Sequence, residues 1–313
     1  MILRGSTDDL YALCSAVSAE TGMPLAHVEK DYWVVELLRS VTRPIDGARP
    51  IFKGGTSLSK AFGLIQRFSE DVDILLAPES DMGKGRVDRV LKEIADRASI
   101  DLGLRGNLES STRGVKRYVR YEYEAAFAGD DVSQGVKLEM GVRGGPEPSA
   151  RRSLRSYIAE YAIRAGEREE AFAEFAPVEI DVLDPARTLV EKVALIHDLA
   201  VRYPDTAAFI GDKGRHFYDI YCLLGDASVC DRLTEAEFTP RVAEDRMRVS
   251  EAFGLPVTSR PAEGFATSPA FDASHPSHHA FEEAYASAMS LVWGRRPTLE
   301  DVRKRVAASS QLL

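Results

Sequence analysis

Two glycines, two hydroxyl side chains and two aspartates flank one helix-length segment: Gly54-Gly55-Thr56-Ser57, then Asp71-Val72-Asp73. These are the residues in the chain best suited to chemistry. The run DVDILL, 71–76, reads as a strand, so Asp71 and Asp73 leave the same face with Cα atoms about 6.5–7 Å apart. Hard divalent cations take oxygen ligands, and two carboxylates at that spacing suit a shared cation cluster. Without a cation they repel, and one resists ionisation. The Gly-Gly turn follows a short apolar run, Ile51-Phe52, and lets the backbone come close to a ligand. A helix starting at Thr56 or Ser57 and running to about Gln66 would point its open N–H groups and positive end at anionic oxygens. Thr56 and Ser57 add hydroxyl donors, and Lys60 lies one turn along. Such a set suits nucleotidyl transfer, in which Mg²⁺ or Mn²⁺ clamps the attacking and leaving oxygens while the turn holds a nucleoside triphosphate (NTP).

A third carboxylate, Glu139, sits in VKLEMGV, where Val136, Leu138, Met140 and Val142 alternate with Lys137, Glu139, Gly141 and Arg143. Period-two alternation puts Glu139 on a polar strand face, as it does Asp71 and Asp73. A general base or a further metal ligand needs that placement; a surface pair with Lys137 or Arg143 is the plainer alternative. Arg67, just before the acidic strand, would hold Glu70 or a phosphate.

The elements that must position these residues follow from periodicity. Ser6–Thr42 reads as helical, and RPIDGARP as a turn. Lys84–Ala98 is a further helix. Lys116–Phe127 and VKLEMGV make a hairpin through the turn GDDVSQG. GVRGGPEPSARR reads as a linker, and from about Arg151 the chain looks largely helical. Asp184-Pro185 places Asp at the N-cap and Pro at N1 of a helix whose buried stripe is Leu189, Val193, Ile196 and Ala200. Lys192 flanks that stripe. Arg215–Leu224 is another helix, in which Arg215 and Asp219 stand i, i+4. Leu255–His279 reads as a long loop, and two last helices part at Arg296-Pro297. The expected division is a helical segment over 1–44, a catalytic core over 45–150 and a helical domain over 151–313.

The run FKGGTSLSKAFGLIQRFSEDVDILL, 52–76, resembles the signature of the AbiEii/AbiGii nucleotidyltransferase toxins of bacterial type IV toxin–antitoxin systems, the group that includes the mycobacterial MenT toxins. DPARTLVEKVAL, Asp184–Leu195, and RHFYDIYCLL, Arg215–Leu224, are similar to the family's later motifs. The resemblance spans Glu29–Leu224. It implies an α+β fold: a polymerase-β-like core, a mixed sheet with helices, plus a mainly helical C-terminal domain. It implies Gly55 and Ser57 at the phosphates, Asp71 and Asp73 at the metals, and catalytic or nucleotide-contacting roles for Lys192 and Asp219. Glu139 stands where many of the superfamily carry Asp. The nucleotide-binding set is then Gly54, Gly55, Thr56, Ser57, Lys60 and Arg67; the catalytic set is Asp71, Asp73, Glu139, Lys192 and Asp219. The implied acceptor is RNA, the 3′ end of tRNA, so that translation stops, and the implied partner is a cognate antitoxin.

Composition narrows the classes. A net charge of −9 over 313 residues excludes polyanion binding by the whole surface, so an RNA contact would use a local patch. Arg143, Arg151, Arg152, Arg155, Arg164 and Arg168, with Lys116, Arg117 and Arg120, could supply one. They could equally be solvated faces alternating with Glu160, Glu167 and Glu169. Tyr118, Tyr121 and Tyr123 read as sheet packing. Three cysteines without a CxxC pair argue against a disulfide framework or a structural zinc and fit a cytoplasmic protein. No apolar run of membrane-spanning length or signal-peptide start is present. His275, His278 and His279 lie in a Pro/Ser/Ala loop without cysteine partners. Two rival functions stay open: a nucleotidyltransferase acting on a protein or an aminoglycoside-like small molecule, and a non-catalytic nucleotide-binding regulator. Ser69, next to the acidic strand, is a candidate for modification.

Overall fold

The computed structural model describes residues 1–69, 71–78, 82–127 and 134–313, which form two compact units. The first comprises Met1–Ala61, Ser69–Val142 and Ser149–Val182; the second comprises Phe62–Phe68, Arg143–Pro148 and Leu183–Leu313. The fold is mixed α+β, as expected. Most of the turn expected at 129–135 lies outside the described residues, as does Glu70.

The first unit is built on a seven-stranded sheet. Its strands are β1 (Ala48–Lys53), β2 (Asp71–Pro78), β3 (Arg105–Thr112), β4 (Lys116–Glu122), β5 (Val136–Gly141), β6 (Ser149–Leu154) and β7 (Val178–Leu183), in the order β3-β4-β5-β2-β1-β7-β6. β2 runs antiparallel to β1 and parallel to β5, and β1 runs parallel to β7. The expected hairpin is present, with β4 antiparallel to β5. Val72, Ile74, Leu138 and Met140 are buried, while Asp71, Asp73 and Glu139 are only partly covered, so each strand has one apolar and one polar face.

The helices of this unit are α1 (Thr7–Thr21), α2 (Leu25–Val41), α3 (Gly54–Lys60), α4 (Lys84–Leu102) and α5 (Tyr157–Arg164). α2 lies against α4, β2 and β5 and buries Val28, Tyr32, Val35 and Leu38. It also buries charges, which need partners. Glu29 accepts from the Ala126 and Phe127 main-chain N–H groups (2.9 and 3.2 Å), and the Lys30 ammonium donates to the Gly135 carbonyl.

Two expectations are corrected here. The region after Arg151 is not mainly helical at its start, because β6 and β7 join the sheet. Val178, Ile180 and Val182 are buried on β7, with Glu179 and Asp181 between them. The unit therefore extends past 150, and it runs through 44 because α2 packs on the sheet. The helix after the Gly-Gly turn starts at Gly54 and ends at Lys60 rather than reaching Gln66. The second unit takes over at Phe62; Gly63 takes φ +64°, Arg67 bridges Val292 and the Phe68 N–H donates to the Leu291 carbonyl.

The second unit is helical among the described residues: α6 (Pro185–Val201), α7 (Arg215–Leu223), α8 (Ala227–Leu233), α9 (Phe238–Ala252), α10 (His278–Ala288) and α11 (Leu299–Ala308). α6 begins where expected. Pro185 sits at the first turn, and the Asp184 carboxylate accepts from the Ala186 N–H at 2.8 Å. Leu189, Val193, Ile196 and Ala200 are fully buried. Among the described residues no helix is long and apolar enough to cross a membrane.

Candidate active site

Strand register assembles the acidic centre. Asp73 on β2 faces Glu139 on β5 and Lys53 on β1, and Asp71 faces Lys137. Tyr118 on β4 is in register with Glu139. One polar face of the first unit therefore carries Asp71, Asp73, Glu139, Lys137, Lys53 and Tyr118. The Lys137 ammonium pairs with Glu139, lies 3.5 Å from Glu109 and stands 5.4 Å from the Tyr118 ring centre. Burial alone would lower this ammonium's pKa, but the Glu139 hydrogen bond and the Glu139, Asp71 and Glu109 charges raise it. Lys53, Lys137 and Tyr118 join the expected residues on this face. Their signal was the alternation that located Glu139, since residues two apart, or opposite in register, share a face.

Gly54 comes into direct contact with Asp73. It has φ +81°, and a β-carbon there would lie 2.1 Å from Asp73 Oδ2. Only glycine meets both conditions, so the turn is fitted to the acidic strand. Thr56 and Ser57 are buried, and their hydroxyls are used within the fold. Thr56 donates to the Asp71 carbonyl (2.6 Å) and lies 2.9 Å from the Ser69 hydroxyl; Ser57 donates to the Gly54 carbonyl (2.9 Å). These bonds fix the turn on β2. Any phosphate contact at the turn would come mainly from its backbone N–H groups.

Lys60 does not reach outward as expected. Its side chain is 3% exposed, its ammonium is 2.8 Å from Asp31 and it stands 3.6 Å from the Tyr157 ring centre. The Asp31 carboxylate also accepts from the Tyr157 N–H at 2.7 Å. Lys60 thus ties α3 to α2 and α5, with a cation–π contribution.

Arg67, Lys192 and Asp219 come together in the second unit. Arg67 is 1% exposed and Asp219 fully buried. The guanidinium forks onto the carboxylate at 2.6 and 2.8 Å, and Arg67 Nη1 donates to the Phe68 carbonyl. Arg67 is therefore turned inward, to Asp219 and the Phe68 carbonyl. Lys192 is 7% exposed, not a flanking surface residue, and its ammonium is 2.8 Å from Asp219 Oδ2. Asp219 is therefore held by Arg67 and Lys192 rather than by Arg215. Burial would raise its pKa, but the Arg67 and Lys192 charges hold it well below the usual carboxylate range. Burial pushes the Lys192 pKa down, and Asp219 resists that.

Four residues of the basic stretch are acid-paired. Arg155 pairs with Glu169, Arg164 with Glu20, Arg151 with Asp181 and Arg120 with Glu109. Tyr121 is buried and donates to the Ala95 carbonyl at 2.9 Å, and Tyr123 stacks on Trp33.

A strand and Gly-Gly turn fitted onto a strand bearing two aspartates, in a mixed α+β fold, place this chain among the nucleotidyltransferases. The family model described as "Nucleotidyl transferase AbiEii toxin, Type IV TA system" matches residues 36–298, and the chain belongs to that family. Among solved structures, MenT4, a nucleotidyltransferase toxin from Mycobacterium tuberculosis H37Rv, is similar over 96% of this chain and 89% of its own, with TM-score 0.55 and 19% identity. At that identity the likeness shows the fold. Comparison with curated proteins finds no match.

Proposed function

We propose that this nucleotidyltransferase toxin binds an NTP with Mg²⁺ or Mn²⁺ and transfers NMP to the 3′ end of a tRNA in the cytoplasm of its host, releasing pyrophosphate and blocking translation. The observation that carries the reading is the pair Asp71 and Asp73 on one strand face, with Gly54 packed against Asp73.

Among the described residues no three His, Cys, Asp or Glu side chains gather as a metal cage. That fits a cation carried in by the nucleotide, since Mg²⁺ binds through one or two carboxylates plus substrate phosphates and water. Asp71 and Asp73 would hold it, and it would supply charge stabilisation at the triphosphate. The acceptor hydroxyl oxygen attacks the α-phosphorus, the bond to the bridging oxygen breaks, and pyrophosphate leaves. Glu139, paired with Lys137, takes the hydroxyl proton or serves as a further metal ligand. The N–H groups of Gly55 and Ser57 hold phosphate oxygens, and the motif resemblance gives Lys192 a catalytic or nucleotide-contacting role. Asp219 holds Lys192. A cognate antitoxin follows from the family, and the tRNA acceptor rests on the motif resemblance. The net charge of −9 and the acid-paired arginines favour, as second reading, a protein or small-molecule acceptor.

The test is incubation of each α-labelled NTP and Mg²⁺ with total tRNA, with the unaltered protein beside Asp71→Ala and Asp73→Ala. Label on tRNA with the unaltered protein alone supports the reading. Transfer by either variant removes the metal assignment. Label appearing only on protein or aminoglycoside acceptors replaces tRNA with the second reading.

A further inference from the structure

Tyr118 differs from the other tyrosines of its stretch. Tyr121 and Tyr123 are buried, whereas Tyr118 is partly exposed. Strand alternation is the reason: Lys116, Tyr118 and Arg120 share one face of β4, the face opposite Tyr121. Register puts Tyr118 beside Glu139 and Lys116 beside Gly141. Asp73, Glu139 and Tyr118 therefore form one row across the polar face of the sheet.

Its place in that row fixes which substrate Tyr118 faces. The order β4-β5-β2-β1 sets β4 two strands from β2, on the side away from β1, at about 10 Å. The Gly-Gly turn continues β1. The turn and Tyr118 thus flank the two aspartates from opposite sides, with Glu139 between Asp73 and the ring. In an in-line displacement the leaving pyrophosphate and the attacking hydroxyl also stand on opposite sides of the phosphorus. With the triphosphate at the turn, Tyr118 is on the acceptor's side.

The chemistry there suits a nucleotide. Every base has a π-face that stacks on an aromatic ring, and nearby cations take the backbone. The Lys116 ammonium lies 4.6 Å from the Tyr118 ring centre and the Lys137 ammonium 5.4 Å. Lys137 is also paired with Glu139. Lys116 is partly exposed, and Gly141 beside it offers no side chain to hold it. An exposed cation–π contact is weaker than the stacking of a base on the same ring. A base can therefore displace the Lys116 ammonium, which then stays close enough to meet a phosphate.

We propose that Tyr118 and Lys116 form the acceptor subsite: the ring stacks the terminal base of a single-stranded RNA 3′ end, and Lys116 takes the phosphate next to it. The proposal rests on the reading of the Asp71–Asp73 face as the transfer site with an RNA acceptor. Stacking needs no basic surface, which suits a chain of net charge −9.

The test reads the Kd of a 5′-fluorescein-labelled single-stranded RNA by anisotropy, without NTP. One form of the RNA is intact and the other ends in an abasic ribose, which keeps the terminal hydroxyls and phosphate. Thermal melts confirm that each variant folds. Wild type should bind the abasic form about tenfold more weakly. Tyr118→Leu should bind the intact form about tenfold more weakly and no longer distinguish the two, with Tyr118→Phe within about threefold of wild type. Lys116→Met should weaken both forms alike and reduce the log–log salt slope by about 0.7. The Kd for NTP with Mg²⁺ should stay unchanged in every variant. Wild-type RNA affinity in Tyr118→Leu would overturn the proposal, as would an abasic penalty that persists in Tyr118→Leu. So would a loss of NTP affinity as large as the loss for RNA, or no RNA binding by wild type. The labelled transfer assay separates this proposal from the reaction it rests on. Transfer to RNA that does not depend on Tyr118 removes the subsite and keeps the reaction. Tyr118-dependent binding of RNA without transfer keeps the subsite and removes the reaction.

Discussion

At the residue scale, Gly54 and Asp219 carry the sharpest consequences. Gly54→Ala puts a methyl group onto Asp73 and a side chain at positive φ. Such strain costs roughly 1–3 kcal/mol, and because the carboxylate itself must move, activity should fall further than stability. Urea melts beside the transfer assay check this; a folded Gly54→Ala protein with wild-type turnover would refute it. Asp219→Ala leaves two buried cations facing each other, a loss of about 3–5 kcal/mol. Arg67→Met leaves Asp219 paired with Lys192, so it should cost less than half as much. An inverted order in denaturant melts would show that the pairs are not coupled as described. The pH dependence follows in sign. The Asp219 pKa is depressed in the folded protein, so its stabilisation is fully present above the unfolded carboxyl pKa of about 3.9. It is lost as pH falls through the folded value. Wild type should therefore lose stability below about pH 4 more steeply than Asp219→Asn.

At the scale of elements, the chemistry depends on how β2 and α6 are set. β2 lies between β1 and β5, so Asp73 has register neighbours on both sides, Lys53 and Glu139, and Asp71 has one, Lys137. α6 starts at a capped, proline-marked turn that fixes the phase of Lys192 along the helix. Asp184→Ala should remove about 1 kcal/mol of stability, and Asp184→Ser only a few tenths. Chemical denaturation of both checks the cap, and equal losses would point instead to the 3.7 Å ion pair of Asp184 with Arg232. Much at this scale was legible beforehand: β2, the hairpin, the α6 cap and the α7 span all follow from local pattern. β7 carries the strand alternation of Val178, Ile180 and Val182 with acids, but a linker-like composition separates it from the other strands and hides its place in the sheet. Leu64 and Ile65 extend the apolar spacing of α3 beyond its true end at Lys60, because Gly63 at positive φ stops a helix from continuing.

At the scale of the whole molecule, acidity and the pairing of arginines govern RNA contact. Arg120, Arg151, Arg155 and Arg164 each have an acidic partner, so these four contribute less to counterion displacement. If tRNA is the acceptor, a log–log plot of its KM against salt should be shallow, with a slope no steeper than about 3. A slope near 8 would show a basic surface much larger than the paired arginines allow.

The sequence by itself determined the local chemistry: which carboxylates share a strand face, where the glycine turn falls and where a helix is capped. These are consequences of period two, positive φ and an Asp-Pro start, all of which act within a few residues. Tertiary structure alone decided which polar groups remain available. Lys60 and Arg67 look like phosphate ligands in one dimension, yet Asp31 and Asp219 take them, the latter across 152 positions. His216 lies inside the Arg215–Leu224 run, but its spacing says nothing of Lys192, and only folding set its ring beside that residue. The physical reason is that a buried charge takes whichever opposite charge the fold brings within reach, and no local spacing encodes that choice.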